Sequence, residues 1–298
     1  MPPQTVREAL DACVARLMQA DVYYGHGTDN AWDEAVQLVL YAAGLPAHAD
    51  ESVLALPWTG QAGQRLDAAL ERRTQDKVPA AYITGRAWFA GIEFRCDERA
   101  LVPRSPLAEL ILDDFQPWYS GPGPKRVLDL CCGGGCIGLA VAYHYPQAQV
   151  DLLDIDPDAL ALARENAQLL AVDERVRIIQ SDLFDGLQDE RYDIILSNPP
   201  YVDAQDLAAM PAEYLHEPEI ALGSGADGLD FTRRLLAQAA QRLEPHSQLI
   251  VEVGNSWTAL EAAFSQVPFT WLEFEMGGHG VFTLSARELQ DYSAYWRG

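Results

Sequence analysis

The spacing of apolar residues first follows a helical period. In TVREALDACVARLMQA (5–20) apolar positions recur every three or four residues, which predicts an amphipathic helix. NAWDEAVQLVLYAAGL (30–45) predicts a second helix, capped by Asp29 or Asn30 and ended by Gly44. TGQAGQRLDAALERRTQDKV (59–78) predicts a third. The pattern therefore predicts a small helical domain over residues 1–85.

The pattern then changes to that of strands. In RAWFAGIEFRCDERALVPRS (86–105) aromatic and β-favouring residues alternate with polar ones around Gly91, which predicts a β-hairpin linking two domains. From 106 to 298 strand and helix patterns alternate, which predicts a mainly parallel sheet covered on both faces. The predicted strands are RVLDL, QVDLLDI, VRIIQ, YDIILSN, QLIVEV, FTWLEFE and GVFTLS.

The last two predicted strands are joined by the short segment 276–280, MGGHG. Such a connection predicts a hairpin, so the sheet should end with an antiparallel strand. The expected fold class is α/β, a Rossmann-like sheet with an antiparallel last strand and a small N-terminal helical domain.

Composition supports a globular protein of about two domains. The chain has 298 residues, of which 49% are hydrophobic, which is enough for a sizeable core. It contains no apolar run of about 18 residues, so no membrane span is predicted. The N-terminal stretch carries charges of both signs and lacks the layout of a signal peptide. We therefore expect a cytoplasmic protein.

The charge balance is strongly acidic, with a net charge of −23. Because affinity for a phosphate backbone depends on Lys and Arg, broad contact with nucleic acid is not expected. Acidity favours encounter with a basic partner, although it is also compatible with a surface that only maintains solubility.

The cysteine pattern predicts reduced thiols and no metal site. The five cysteines are Cys13, Cys96, Cys131, Cys132 and Cys136, an odd number without a disulfide framework. The cluster at 131–136 lacks Cys-x-x-Cys spacing and has no nearby His to complete a metal site. Small buried apolar residues are the favoured interpretation.

A glycine-rich turn follows the strand VLDL (127–130). In CCGGGC, Gly133, Gly134 and Gly135 let the backbone approach a ligand closely, because a Cβ would obstruct it. The turn lies at the carboxyl end of a strand, where ligands of open α/β sheets bind. The predicted cofactor-binding turn also includes Cys131 and Cys132.

Carboxylates at neighbouring strand ends extend this predicted site. Asp154 ends the next strand, 19 residues after Gly135, and could accept hydrogen bonds from ribose hydroxyls. Asp129 could orient the turn or the cationic end of a cofactor. At the end of the third strand, Asp182 could bind an adenine edge, with Leu183 or Phe184 against its face.

Other nucleotide sites fit the turn less well. A nicotinamide site favours Gly-x-Gly-x-x-Gly, and a P-loop needs a Lys-Ser/Thr pair after the turn; this chain has neither. The order of Asp-x-x-x-Gly-x-Gly, a strand-end Asp, Asp-Leu-Phe and Asn-Pro-Pro-Tyr resembles S-adenosylmethionine-dependent methyltransferases. The resemblance implies S-adenosyl-L-methionine as the cofactor.

The fourth strand ends in Asn198-Pro199-Pro200-Tyr201. Two prolines fix φ twice and remove two backbone donors, which makes a stiff extended turn. A strand terminator is the simplest interpretation of such a turn. In methyltransferases, Asn-Pro-Pro-Tyr occurs in enzymes that modify planar nitrogens, such as adenine amines and glutamine amides.

The rest of the chain resembles the protein-(glutamine) methyltransferases, which share a helical N-terminal domain and a hairpin linker. VPRSPLAEL, LDLCCGGGCIGLA, EVGNS and the segments following NPPY and VPFTW are similar to the branch that methylates large-subunit ribosomal protein three. The resemblance implies methyl transfer to a glutamine side-chain amide of that protein. The turn usually has Thr where this chain has Cys132.

This resemblance implies roles for the turn at 198–201. The Asn198 side-chain oxygen and the Pro199 carbonyl would accept the two amide N–H groups, and Tyr201 would pack against the flat amide. Pro200 stiffens the turn and would belong to the substrate site, and Asn198 would also contact the cofactor. The helical domain 1–85 would contribute to recognition of the protein substrate. We call the two acceptors, the Asn198 side-chain oxygen and the Pro199 carbonyl, the clamp. Arg104 could contact the substrate or cofactor, or pair with an interdomain carboxylate. Glu217 could order the loop that follows the clamp.

Three alternatives stay open at this level. A release-factor glutamine methyltransferase would use the same chemistry, but Pro103-Arg104-Ser105-Pro106 departs from that branch. An adenine-amine nucleic-acid methyltransferase would share the turn, but a basic target-recognition segment is absent. A non-catalytic ribosome-assembly module would retain only the cofactor fold.

Overall fold

The computed structural model describes residues 2–119 and 123–296. The predicted domains also contain Met1, 120–122 and 297–298, which lie outside the described residues. Chain packing divides the protein into two compact units. One comprises 1–87, 96–98 and 211–216, and the other comprises 88–95, 99–210 and 217–298.

The first unit is helical. Asn30 caps the second helix, since its side chain accepts the N–H groups of Trp32 and Asp33. Gly44 ends that helix with a φ of 69°, as its left-handed position requires. A short fourth helix follows the three that the apolar spacing predicts. The helices are α1 (Val6–Gln19), α2 (Ala31–Ala43), α3 (Gly60–Thr74) and α4 (Ala80–Thr84), with a 3-10 helix at Glu51–Ala55.

A buried ion-pair network holds this helical unit together. Arg73 on α3 is 1% exposed and lies 2.5 Å from Glu34 of α2 and 3.0 Å from Glu213. Its guanidinium also donates to the Tyr23 carbonyl at 2.7 Å. Glu213 belongs to the segment 211–216, so a late part of the chain becomes an integral part of the helical unit.

The second unit contains a seven-stranded sheet. A separate two-stranded hairpin, β1 (Arg86–Phe89) and β2 (Ile92–Arg95), precedes it. The strands of the large sheet are β3 (Arg126–Leu130), β4 (Gln149–Asp154), β5 (Val176–Gln180), β6 (Tyr192–Ser197), β7 (Leu243–Glu252), β8 (Thr270–Trp271) and β9 (Val281–Ser285).

The strand order confirms the predicted α/β fold class. It is β5-β4-β3-β6-β7-β9-β8. The first five strands in this order pair in parallel, whereas β9 pairs antiparallel with both β7 and β8. The carboxyl ends of β3 to β6 therefore meet at one edge of the sheet, and the sequence order reverses between β3 and β6.

Apolar side chains cover both faces of the sheet. On β6, Ile194 and Leu196 pack in one core cluster and Ile195 in the other, because successive strand residues point to opposite faces. The first cluster includes side chains from three helices that precede β5 in the chain, and the second includes side chains from three helices that follow β6. The remaining helices are α5 (Leu107–Leu112), α6 (Cys136–His144), α7 (Pro157–Leu169), α8 (Ala204–Ala209), α9 (Asp230–Ala239), α10 (Trp257–Ala263) and α11 (Ala286–Asp291).

The strand predicted over FTWLEFE is shorter than its pattern suggests. Only Thr270–Trp271 are strand. Beyond them the Glu109 carboxylate accepts the N–H groups of Glu275 and Met276, at 2.8 and 3.0 Å. A side chain from α5 therefore replaces ladder partners that a longer strand would need.

No helix within residues 2–119 and 123–296 has the length and apolar character needed to cross a membrane.

Candidate active site

The glycine-rich turn is tightly packed between β3 and α6. Gly133 and Gly135 have φ of 53° and 84°, in the region that favours glycine. A Cβ on Gly135 would lie 2.9 Å from Leu139 Cδ1. The Cys132 N–H donates to the Leu153 carbonyl at 3.0 Å, which ties the turn to the end of β4. The missing side chain of Gly135 therefore allows the turn to pack against α6 and the sheet at the carboxyl end of β3.

The cysteines of the turn differ in exposure. Cys132 is buried, whereas Cys131 and Cys136 are half-buried, so the interpretation as fully buried residues holds only for Cys132. Cys131 also has a φ of 61°, which is unusual for a residue with a side chain. Burial raises the pKa of the Cys131 and Cys132 thiols well above their ordinary value, so both stay protonated. Over 2–119 and 123–296, no cluster of three or more His, Cys, Asp or Glu could hold a metal ion.

Asp154 joins the end of β4 to the glycine turn. Its Oδ2 accepts the Gly133 N–H at 2.8 Å, and its Oδ1 accepts the Asp156 N–H at 3.0 Å. Burial raises the pKa of this carboxyl, and the two N–H donors partly oppose that rise. The carboxylate is thereby oriented beside the turn, where each oxygen keeps a further lone pair for a hydroxyl donor.

Asp129 lies wholly buried at the end of β3. Its Oδ2 accepts the Gly138 N–H of α6 at 2.8 Å. Its Oδ1 is buried and, among the described residues, has no hydrogen-bond partner. Burial raises the pKa of Asp129 from 3.8 to about 7, the Gly138 N–H lowers it, and the charge of Asp154 raises it further. A cationic group near Oδ1 would satisfy this carboxylate.

Of the three residues Asp182-Leu183-Phe184 that follow β5, one side chain is accessible and two are buried. Asp182 pairs with Arg234 of α9 at 2.8 Å and is 44% exposed. Leu183 and Phe184 are 3% and 2% exposed and belong to the core cluster shared with α9. The structure therefore leaves Asp182 as the polar group at this strand end, and contact of Leu183 or Phe184 with an adenine face stays a prediction.

The turn Asn198–Tyr201 begins where β6 ends. Asn198 Oδ1 is buried and lacks a hydrogen-bond partner within the described part of the chain. Pro199 is buried, and Pro200 is half-buried. The N–H groups of Tyr201 and Val202 both donate to the Leu222 carbonyl, at 3.1 and 2.9 Å. A rigid loop thus presents a buried amide oxygen without a donor, a costly state unless another molecule supplies one.

Arg104 makes a bidentate pair with Glu217. The two Nη–Oε distances are 2.5 and 2.7 Å. Glu217 is fully buried at its side chain and also accepts the Val102 N–H at 3.0 Å. Both residues lie in the same compact unit, so this pair is not an interdomain one. This pair anchors the loop that returns to Leu222 beside the Asn198 turn, a role that the sequence suggested for Glu217.

Sequence patterns did not identify the contacts of Tyr201. Its hydroxyl donates to Glu252 at 2.9 Å, and its carbonyl accepts from Ser256 Oγ at 2.6 Å. Ser105 Oγ donates to the same Glu252 at 2.6 Å. These residues lie within VPRSP and EVGNS, motifs that carried the family resemblance, but no local spacing connects them to Tyr201.

Comparisons with known proteins agree with this geometry. The family described as Methyltransferase small domain matches residues 108–270. The ribosomal protein uL3 glutamine methyltransferase of Neisseria gonorrhoeae (strain ATCC 700825 / FA 1090) is 46% identical over 96% of this chain and 95% of its own length. The protein of that name from Neisseria meningitidis serogroup B (strain ATCC BAA-335 / MC58) is 45% identical over 96% and 94%.

A solved structure shares the fold at low sequence identity. The hMettl16 catalytic domain, crystallised with the MAT2A 3'UTR hairpin 6, superposes with a TM-score of 0.53 and is 16% identical. The match covers 83% of this chain and 91% of that one.

Proposed function

The chain belongs to the family of ribosomal protein uL3 glutamine methyltransferases, and from that premise we propose that it transfers a methyl group from S-adenosylmethionine to the side-chain amide nitrogen of a glutamine in uL3. The structural observation that carries the proposal is the buried Asn198 Oδ1 at the end of β6, which lacks a donor among the described residues. A substrate amide supplies the missing N–H.

The residues at the carboxyl edge of the sheet fit the cofactor. When bound, S-adenosylmethionine supplies a methyl group on a positively charged sulfur. The backbone of 131–135 would hold it, and Asp154 would accept hydrogen bonds from its ribose hydroxyls. Asp182 would contact the adenine edge. The buried Asp129 Oδ1 without a partner supports the fit, because the cofactor's cationic end offers the charge that this carboxylate needs.

The turn at 198–201 addresses the poor nucleophilicity of an amide. The lone pair of an amide nitrogen is delocalised into its carbonyl. If Asn198 Oδ1 accepts one N–H and the Pro199 carbonyl accepts the other, the nitrogen is held in one orientation and positive charge developing on it is stabilised. Pro199 and Pro200 keep both acceptors in place because their φ angles are fixed.

The ring of Tyr201 would pack against the flat face of the substrate amide. No side chain needs to remove a proton beforehand, because the amide nitrogen is positively charged once the methyl group has bonded to it, and in that state it readily loses a proton to water. The chain's contribution is orientation and electrostatic stabilisation, which together account for a large part of many enzymatic rate enhancements.

The substrate is a basic protein, and the acidic charge of −23 supports encounter with it. Arg104 is already paired with Glu217, so its contribution to substrate binding is to hold the loop rather than to present a free cation. Action on a ribosomal protein supports a cytoplasmic location for the enzyme.

The test uses purified protein and methyl-labelled S-adenosylmethionine. Isolated uL3, a release factor and an adenine-containing duplex are offered in parallel, and mass spectrometry locates the label. Label on a uL3 glutamine alone is the expected result. Label on a release-factor glutamine would agree with the clamp mechanism but would show that the enzyme belongs to the release-factor branch.

Two further outcomes would overturn the proposal more deeply. Label on adenine would show a nucleic-acid methyltransferase. Absence of transfer to any of the three, with the cofactor still bound, would support the non-catalytic assembly module, provided that ribosomal precursor particles containing uL3 are also left unlabelled.

A further inference from the structure

Glu252 connects two segments that are far apart in sequence. It is the last residue of β7 and is 6% exposed. One of its carboxylate oxygens accepts from Ser105 Oγ at 2.6 Å, and the other accepts from the Tyr201 hydroxyl at 2.9 Å. A buried carboxylate needs such donors, because burial without them strongly disfavours its charge.

The ionisation of Glu252 depends on these two hydroxyl groups. Burial raises the pKa of its carboxyl, while the hydrogen bonds from Ser105 and Tyr201 lower it. Charges on Arg104 and His279 lower it as well. The carboxylate and its donors therefore form one network, in which each hydroxyl group points towards Glu252.

The main chain of Tyr201 is held by two further hydrogen bonds. Its N–H donates to Leu222 and its carbonyl accepts from Ser256. Gly254 lies so close to the ring that a Cβ there would be 2.5 Å from Tyr201 Cε2. These contacts hold the main chain and one edge of the ring, and the hydrogen bond to Glu252 holds the far end.

We propose that Glu252 is a positioning residue for methyl transfer: through the Tyr201 hydroxyl it sets the orientation of the ring three residues after Asn198, in the same turn, with Ser105 keeping the carboxylate in place. This role rests on the proposed function. A displacement of the Tyr201 ring by about 1 Å would be enough to lower the rate of methyl transfer substantially, because the rate depends on how the amide is oriented.

The kinetic test compares Glu252→Ala with Glu252→Gln. Alanine removes the acceptor for Tyr201, so kcat should fall about tenfold to a hundredfold while cofactor Kd stays within about twofold. Glutamine keeps an oxygen for the hydroxyl and should restore most of kcat. Tyr201→Phe should lower kcat similarly, and the double variant Tyr201→Phe/Glu252→Ala should be no slower than the slower single variant.

A second measurement reports on the ring without any substrate. Proteins labelled with 13C-tyrosine are compared by NMR, and Tyr201→Phe identifies the Tyr201 signal. In the wild type and in Glu252→Gln the ring should flip slowly on the NMR timescale. In Glu252→Ala, or in the milder Ser105→Ala if alanine at 252 prevents folding, the Tyr201 signal should shift and sharpen.

The outcomes separate the two proposals. An unchanged Tyr201 signal in Glu252→Ala and Ser105→Ala overturns the positioning role, and so does wild-type kcat in a folded Glu252→Ala enzyme. If the Tyr201 signal changes in Glu252→Ala but the wild type transfers no methyl group to uL3, the proposed function is overturned. That result would still support the contact by which Glu252 orients the Tyr201 ring.

Discussion

Asp129 and Gly138 are packed together at the base of the cofactor site. The Gly138 N–H donates to Asp129 Oδ2 at 2.8 Å, and a Cβ on Gly138 would lie 2.8 Å from Asp129 Cβ. The same Cβ would collide with Leu152 Cδ2. The absence of a side chain at this position on α6 therefore allows the buried carboxylate to approach the helix.

Gly138→Ala should destabilise the protein and weaken cofactor binding. The added methyl group has no space beside Asp129 and Leu152, and overpacking of this kind costs about 1–3 kcal/mol. Denaturant unfolding and a cofactor titration provide the measurements. The control is Gly63→Ala in α3, where the nearest atom to a new Cβ is 3.5 Å away, so alanine should stabilise by up to about 1 kcal/mol. Equal effects at both positions would contradict this account of the packing.

The stability of the protein should depend on pH through Asp129. Burial raises the pKa of Asp129 from 3.8 to about 7, so the folded protein keeps a proton that the unfolded chain loses between these values. The stabilisation is complete below about pH 4 and is lost as pH rises through about 7. Relative to Asp129→Asn, the wild type should lose up to about 1.4 kcal/mol per pH unit in this window.

Urea unfolding of both proteins from pH 4.5 to 8 would measure that difference, within the range set by those pKa values. The comparison measures Asp129 together with its electrostatic coupling to Asp154, while the Gly138 N–H is present in both proteins. Parallel stability curves would show that Asp129 is ionised in both the folded and the unfolded state across the range.

Local patterns predicted the parallel strands and the polar residues near their carboxyl ends. The period of apolar residues located β3 to β6, and the end of each strand located Asp129, Asp154, Asp182 and Asn198. Parallel pairing then brings such strand ends to one edge of the sheet, which is why spacing alone was informative. The hydrogen bond between Asp154 and the Gly133 N–H joins two motifs that were predicted to form one site.

Long-range pairings could not be predicted in this way. Glu213 lies 140 residues from Arg73, and Glu252 lies 51 residues from Tyr201. Neither pair follows from a helical or strand period, because both depend on how separate segments pack. The burial of Leu183 and Phe184 likewise results from packing against α9, so side chains at a strand end could not be divided into core and site by sequence alone.

Arg73→Met should strongly destabilise the helical unit. The substitution leaves Glu34 and Glu213 buried without their cation, and breaking a buried pair in this way costs about 3–5 kcal/mol. Circular dichroism during denaturant unfolding measures the loss. Arg16→Met is the matched control, since the Arg16–Asp67 pair is largely exposed and should contribute only about 0–1 kcal/mol. Similar losses for both variants would contradict a special role for burial.

Salt should weaken recognition of uL3 without slowing the chemistry. With a net charge of −23, the protein attracts a basic substrate over a distance that salt shortens, from about 10 Å at 0.1 M to about 3 Å at 1 M. The KM for uL3 should therefore rise severalfold across this range, whereas kcat should change little. The KM for the cofactor, measured at saturating uL3, serves as the control. An unchanged KM for uL3 would assign the acidic surface to solubility alone.

Asn198→Ala should abolish most transfer while leaving cofactor binding largely intact. Removing a preorganised acceptor from a buried site costs about 10²- to 10³-fold in kcat, because the developing charge then has no oriented oxygen to stabilise it. Asn198→Asp keeps an oxygen in the same place and should retain part of the activity. Labelled-methyl transfer to uL3 gives kcat, and calorimetry with S-adenosylmethionine gives the cofactor affinity.

A second asparagine separates this role from a loss of stability. Asn30 Oδ1 caps α2 by accepting the N–H groups of Trp32 and Asp33, so Asn30→Ala should cost about 1 kcal/mol of stability and leave kcat unchanged. Asn198→Ala removes an oxygen that no donor within the described residues occupies, so its own stability should stay the same or rise. Loss of turnover without loss of stability is therefore the expected combination. Normal turnover in Asn198→Ala would overturn the clamp, since the clamp requires the Asn198 side-chain oxygen to accept one N–H of the substrate.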